Sequence, residues 1–299
     1  MAGFAVAIPR PLTAILANCP RVTGLAGLKV HAKIVLVVRR EPGGICRYVH
    51  LGTGNYNERT ARLYTDFGFF TCSEDFGSDA SAFFNTITGY SEPPLFNRLV
   101  MAPSGMREKI LLLIRREADW ARTGQTSEIL GKMNSLVDPE IIQELYAASK
   151  AGVRVLLNVR GICCLRAGVS GLSDNIRVVS ILDRYLEHTR AFVFNNGGDP
   201  EVYLSSADCM PRNLDRRVEL MFPVQQQDLK KKVIEIMRAQ MSDNQKARLL
   251  KQDGTYERVA AGRSEPLRVQ EHLYQRNIEE QERIRSLTPV RFTPIQGKD

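Results

Sequence analysis

The chain has 299 residues, with 41 Lys and Arg against 33 Asp and Glu, a formal net charge of +8 and a pI near 9.3. It is 43% hydrophobic and 25% charged, the make-up of a folded globular protein long enough for two cores, not of a disordered or fibrous chain. The basic balance suits an anionic partner such as nucleic acid, a nucleotide or another phosphate polymer, and equally a merely soluble surface.

No apolar run approaches the roughly 20 residues a bilayer span needs. The opening "MAGFAVAIPRPLTAILANCPRV" lacks a basic n-region and is interrupted by Pro9 and Pro11, so it does not read as a signal peptide. Cys19, Cys46, Cys72, Cys163, Cys164 and Cys209 form no CxxC pair. With four histidines and no Cys/His cluster, zinc is not expected, and the cysteines read as reduced thiols of a cytoplasmic protein.

In chain order, "LKVHAKIVLVVRR" reads as a buried strand, "PGG" as a turn and "CRYVHLGTG" as its hairpin partner. "GTGNYN" is a loop. "ERTARLY" is expected to be helical, "FGFFTC" a strand, and "SDASAFFNTITGY" a helix capped by Ser78 or Asp79. The proline-bearing "SEPPLFNRLVMAPSG" marks a boundary near residue 98. Ser104 is expected to cap the helix "MREKILLLIRREADWAR", and Asp138 before Pro139 to open "EIIQELYAASKAG". "VRVLLNVRG", "IRVVSIL", "RAFVFNN", "EVYLSSAD" and "RVELMFPV" are further strands, so the fold is α/β or mixed α+β. From Leu229 the chain turns helical and polar. The stretch from Arg263 is expected to be partly disordered, and Lys230–Lys232 a solvated helix face.

Two units repeat about one domain length apart: His31-x-Lys33, strand, "GTGN", and His188-x-Arg190, strand, "SSAD". A strand period of two puts each histidine beside its base. A neutral imidazole is a nucleophile or general base, and a neighbouring cation can hold a phosphoryl oxygen. One such histidine is more often structural; two in the same context favour a shared site. For His50 and His272 the structural reading stands. Arg160, ending an apolar strand before Gly161, is a candidate phosphate clamp. Gly52, Gly54 and Asn55 could offer amides to a phosphate, a weak signal. There is no P-loop.

Paired His-x-Lys/Arg units with small polar loops resemble the phospholipase D superfamily. The longer segments "GLKVHAKIVLVVRRE", "RYVHLGTGNYNERTARLYTDFGFFT", "MNSLVD", "VRGICCL", "LSDNIRVVSILDRYLEHTRAFVFNNGG" and "VYLSSADCMPRNLDRRVEL" resemble the C-terminal domains of bacterial polyphosphate kinase, from about Gly24 to about Tyr256. The resemblance implies two phospholipase D-like domains related by a pseudo-twofold: residues 1–98, incomplete, and residues 99–283, followed by a tail at 284–299.

It also implies reversible transfer of the terminal phosphate of ATP to inorganic polyphosphate, assisted by Mg²⁺. His31 would carry the phosphoryl group and His188 would act as acid/base and ATP contact. Lys33 and Arg190 would stabilise charge, and Tyr64 and Arg160 would contact ATP. No metal-ligating residue is assigned. The family's upstream asparagine and arginines have no counterpart, and residues 1–23 do not match the expected upstream segment, so the chain reads as N-terminally truncated, with an unpaired sheet edge. Nucleic acid is not an expected partner. The full-length family would form homo-oligomers, and the charge is compatible with peripheral membrane association. The competing readings are an inactive fragment that binds polyphosphate or nucleotide, and a phosphodiesterase, against which Arg190 counts because that chemistry calls for a second lysine.

Overall fold

The computed structural model describes residues 27–89 and 95–286. The expectations for the N-terminal segment, for "SEPP" and for the last residues lie outside them.

Strand β1, Lys29–Val30, is followed by a hairpin of β2, Lys33–Glu41, and β3, Gly44–Gly52, turned at Pro42 and Gly43. Helix α1, Glu58–Ala61, is shorter than "ERTARLY" suggests and is capped by the Asn57 side chain. Strands β4, Tyr64–Thr65, and β5, Gly68–Thr71, precede helix α2, Glu74–Gly89. Asp79 does not cap α2. It is buried inside the helix, where its carboxylate accepts from the Asn97, Arg98 and Leu99 amides at 2.9, 2.6 and 2.9 Å and ties down the connection that follows.

The second half runs β6, Val100–Ala102; α3, Met106–Arg122; β7, Glu128–Met133; α4, Pro139–Lys150; β8, Arg154–Val159; β9, Ile176–Ile181; β10, Leu186–Glu187; β11, Arg190–Phe194; β12, Glu201–Ser205; α5, Pro211–Arg216; β13, Arg217–Val224; and α6, Gln227–Met241. Asp138 caps α4 as expected, accepting from Ile141 N. Ser104 does not cap α3: the residue at its N-cap is Gly105, at φ +105°, a left-handed conformation that favours glycine. Strands β14, Ala247–Leu250, and β15, Tyr256–Arg258, interrupt the stretch expected to be helical from Leu229, while the polar helix α7, Val269–Ser286, agrees with that expectation and is ordered where partial disorder was expected.

The second half builds a large sheet in the order β1-β13-β12-β11-β7-β8-β9-β14-β15, with β6 also on β13. One face is covered by α3 and α4, whose Ile110, Leu113, Ile114, Ile141 and Leu145 pack on Phe192 and Phe194. The opposite face shares a core with the first half: Phe76, Ala80 and Phe83 of α2 pack with Val49, Leu51 and Phe69 of the sheet β2-β3-β5, and with Phe222. Phe69 and Phe222 lie 5.8 Å apart between ring centroids. Burying such rings contributes about 1.5–3 kcal/mol each and joins the halves. Among the described residues β2 has no partner on its outer edge, and Val37, Val38, Ile45 and Phe70 are exposed.

Register makes the duplication explicit. Lys33 pairs with Gly52 and Gly52 with Gly68; Arg190 pairs with Ser205 and Ser205 with Met221. Lys33 and Arg190 are therefore equivalent positions. So are Thr53 and Ser206, one residue beyond the paired position, and Asp66 and Glu219, two residues before it. The halves are tied by β1 running parallel to β13 and β4 parallel to β10.

Candidate active site

Neither histidine lies within a strand. His31 sits in the break between β1, which joins the second-half sheet, and β2, which joins the first. His188 sits in the matching break between β10 and β11. A crossover between sheets, not a shared strand, brings each histidine beside its base: Lys33 Nζ donates to His31 Nε2 at 2.9 Å, and Arg190 Nη1 to His188 Nε2 at 3.0 Å.

Each ring is held on its other side by a carboxylate from the opposite half. His31 Nδ1 lies 2.8 Å from Glu219 Oε1, and His188 Nδ1 lies 2.9 Å from Asp66 Oδ2. A hydroxyl supports each carboxylate: Ser206 Oγ donates to Glu219 at 2.5 Å and Thr53 Oγ1 to Asp66 at 2.7 Å. These are the equivalent positions found from register. A carboxylate at Nδ1 keeps the proton there and leaves the Nε2 lone pair for chemistry. Glycine is required at 54 for this reason, since a Cβ there would collide with the Asp66 carboxylate.

The cations converge. Arg190 forms an ion pair with Asp208 at 3.0 Å and reaches Thr53 O at 3.3 Å. Arg160 donates to Asn134 Oδ1 at 2.9 Å and to Glu187 O at 3.2 Å. Asn134 in turn gives its amide to Asp208 at 2.6 Å. The Tyr64 ring lies 4.8 Å from that of His188. Arg217 Nη1 stands 3.9 Å from Glu219, on the His31 side.

Burial lowers the Lys33 pKa to about 7, with Glu219 opposing and Arg190 adding to the shift. Burial also lowers His188, against the pull of Asp66, so its neutral form is favoured. Arg160 is lowered by burial as well. Asp208 falls below its ordinary value because Arg190 and Asn134 outweigh burial. The site therefore gathers arginine and lysine donors, three carboxylates and a His188 imidazole favoured neutral in partly dry surroundings, a setting that strengthens charge-assisted contacts.

All six residues singled out from the sequence belong to or adjoin this cluster: His31, Lys33, Tyr64, Arg160, His188 and Arg190. Asp66, Glu219, Thr53, Ser206, Asn134, Asp208 and Arg217 were missed. Only the repeat carried a signal for the first four, and reading it required strand register. His50 belongs elsewhere, with Tyr56 Oη donating to its Nδ1 at 2.7 Å. His272 is exposed, and Lys231 and Lys232 lie on the solvated face expected of them.

Two family models match: polyphosphate kinase C-terminal domain 1 over residues 15–93 and C-terminal domain 2 over residues 99–270. The chain belongs to the polyphosphate kinase family. The first match starts ahead of Gly24, so the similarity reaches further upstream than the quoted motifs. The polyphosphate kinase of Rhodopirellula baltica is 54% identical over 86% of this chain and 30% of its own length, and that of Synechocystis is 54% identical over 79% and 32%. The crystal structure of polyphosphate kinase from Porphyromonas gingivalis superposes with a TM-score of 0.82 at 40% identity, over 86% of this chain and 40% of that one. The chain thus spans about a third of the length of the curated relatives it matches.

Proposed function

We propose that this chain carries the phosphoryl-transfer site of a polyphosphate kinase, and that His31 Nε2 is the atom that takes the terminal phosphate of ATP. The observation that carries the reading is the His31 environment: Nδ1 anchored on Glu219, Nε2 facing Lys33, and further cations around it. The Nε2 lone pair forms the N–P bond as the bond from phosphorus to the bridging oxygen breaks, and ADP leaves with that electron pair. Because Nε2 bears no proton, none has to be removed first. Lys33 moves its hydrogen bond from Nε2 to a phosphoryl oxygen, and Arg217 adds charge on the same side. The phosphoramidate is high in energy, so its transfer to the end of a polyphosphate chain runs in either direction.

His188, favoured neutral and held by Asp66, is placed to exchange a proton with the nucleotide or the polymer end. Tyr64 offers an aromatic face to the nucleotide, and Arg160 and Arg190 clamp its phosphates. Magnesium bound to the phosphates would supply further charge. The described residues hold no cluster of three His, Cys, Asp or Glu side chains suited to a metal, and Asp66, Asp208 and Glu219 are each engaged with a histidine or arginine. They do not compose a protein-held magnesium site, and the ion would arrive with the nucleotide. ATP as donor implies a cytoplasmic setting, and among the described residues no helix is long and apolar enough to cross a membrane.

The test is incubation with γ-labelled ATP and Mg²⁺. Acid-labile, base-stable label on the protein that disappears in His31→Ala is expected. Label that survives this substitution would refute the assignment. Tight polyphosphate binding without label would instead make the chain a binding fragment.

A further inference from the structure

The residue before His188 is a buried carboxylate outside the phosphate-facing set. Glu187 is 3% exposed, and four elements converge on it. Gln270 Nε2 from α7 donates to it at 2.7 Å, Gln240 Nε2 from α6 at 3.0 Å and Thr65 Oγ1 from β4 at 3.0 Å. Lys132 Nζ from β7 lies 2.8 Å away as an ion pair rather than an aligned hydrogen bond. The Glu187 carbonyl accepts from Arg160, and the next amide, His188 N, donates to Thr65 O at 3.3 Å. One buried side chain thus fixes the β4–β10 pairing that places Tyr64, Asp66, His188 and Arg160 against one another.

Helix α7 touches the core along a short edge. Val269 is fully buried, Leu273 packs partly buried against the same core, and the rest of the helix is mostly polar and exposed. Gln270 donates to Tyr185 O and accepts from Tyr185 N, each at 2.9 Å, while Nε2 also reaches Glu187. Just ahead of it, Arg268 is paired with Asp183 at 2.7 Å. The start of α7 is therefore bonded to both ends of the segment 183–187, immediately before the site histidine. The remaining α7 ion pairs, Lys232–Glu280 at 2.8 Å and Arg276–Glu235 at 2.9 Å, join it to α6 well away from this segment in sequence.

We infer that Glu187 and Gln270 form a latch that positions His188, making the C-terminal helix α7 a positioning element of the nucleotide side of the site. The inference rests on the reading of His188 as a site residue. Releasing the latch lets the 183–187 segment and the His188 ring move outward and take up water. The groups facing His188 are Asp66 from the first half, Arg190 and Asp208 from β11 and the loop after β12, and the Tyr64 ring. Gln270→Leu substitutes none of these groups, so a shifted His188 titration reports a change in how they and the solvent surround the ring.

The test uses the full chain with Gln270→Leu, which keeps bulk and helix propensity but removes three hydrogen bonds. Glu235→Ala and Glu280→Ala are the controls, since they loosen α7 on α6 without touching the latch. With four histidines in the sequence, the His188 ring signal is assignable by NMR through His188→Gln. Because burial is what lowers this imidazole, release in Gln270→Leu is expected to raise its pKa toward the ordinary value of about 6.5, with the controls unmoved. ADP binding is expected to weaken about tenfold in the same variant. An unmoved His188 titration in Gln270→Leu overturns the latch, and so does an equal movement in the two controls. If the wild-type chain binds no ADP while Gln270→Leu still shifts His188, the latch stands and the nucleotide reading fails.

Discussion

Lys33 is 4% exposed and carries an amine whose pKa is lowered from 10.5 to about 7, so the fold works against its charge. The folded chain holds that proton less tightly than the unfolded chain. The resulting penalty is fully present below pH 7, shrinks as pH rises through the window from 7 to 10.5, and vanishes above it. At about 1.36 kcal/mol per unit, the penalty is roughly 4–5 kcal/mol at pH 6 and about 1 kcal/mol at pH 9.5. Lys33→Met keeps the stem's packing, removes the penalty and forfeits one hydrogen bond to His31, worth about 1 kcal/mol. The variant is therefore expected to be more stable than the parent by about 3 kcal/mol at pH 6, and to lose about 3 kcal/mol of that advantage by pH 9.5. Urea denaturation of both proteins at the two pH values measures this, because groups remote from Lys33 titrate alike in both. The same substitution should abolish His31 labelling by ATP. If the advantage of Lys33→Met changes by less than about 1 kcal/mol between the two pH values, Lys33 is not the buried, weakly basic amine described here.

Glu219→Gln leaves the shape of the site but replaces the anion that holds the His31 tautomer, so His31 labelling by ATP should slow by at least about a hundredfold with ADP affinity little changed. An equal loss of both would place Glu219 in ground-state binding instead. Asp79→Ala strands the amides of Asn97, Arg98 and Leu99, and is expected to cost about 3 kcal/mol in urea denaturation, far from the site and without effect on the His188 titration.

The paired His-x-base units, the β2–β3 hairpin and the Asp138–Pro139 helix start were legible because each is a local pattern of a few residues. The break at His31 was not, because Val30 and Lys33 belong to strands of different sheets, and a continuous run of β-branched residues hides the change of partner. The start of α3 was misread because Gly105, not the serine before it, takes the cap position, and α2 because Asp79 spends its carboxylate on a distant segment. Helix α7 has no apolar stripe to reveal it. It is held by Val269, Leu273, Gln270 and surface ion pairs, so its helical, polar character was legible and its ordered docking was not.

The residues that orient the histidines were hidden for a deeper reason. Glu219 lies 188 positions from His31, and Asp66 lies 122 positions from His188. Each carboxylate stands next to its own half's strand pattern yet serves the other half's imidazole. Neither half can then hold its histidine in one tautomer alone, because its own carboxylate points across the pseudo-twofold. The β1–β13 and β4–β10 pairings, which carry each chain segment into the opposite half beside its histidine, are what make the exchange possible. Loss of either two-stranded contact should therefore free the imidazole that follows it from its carboxylate. The docking of the halves and the orientation of the two histidines are one structural event.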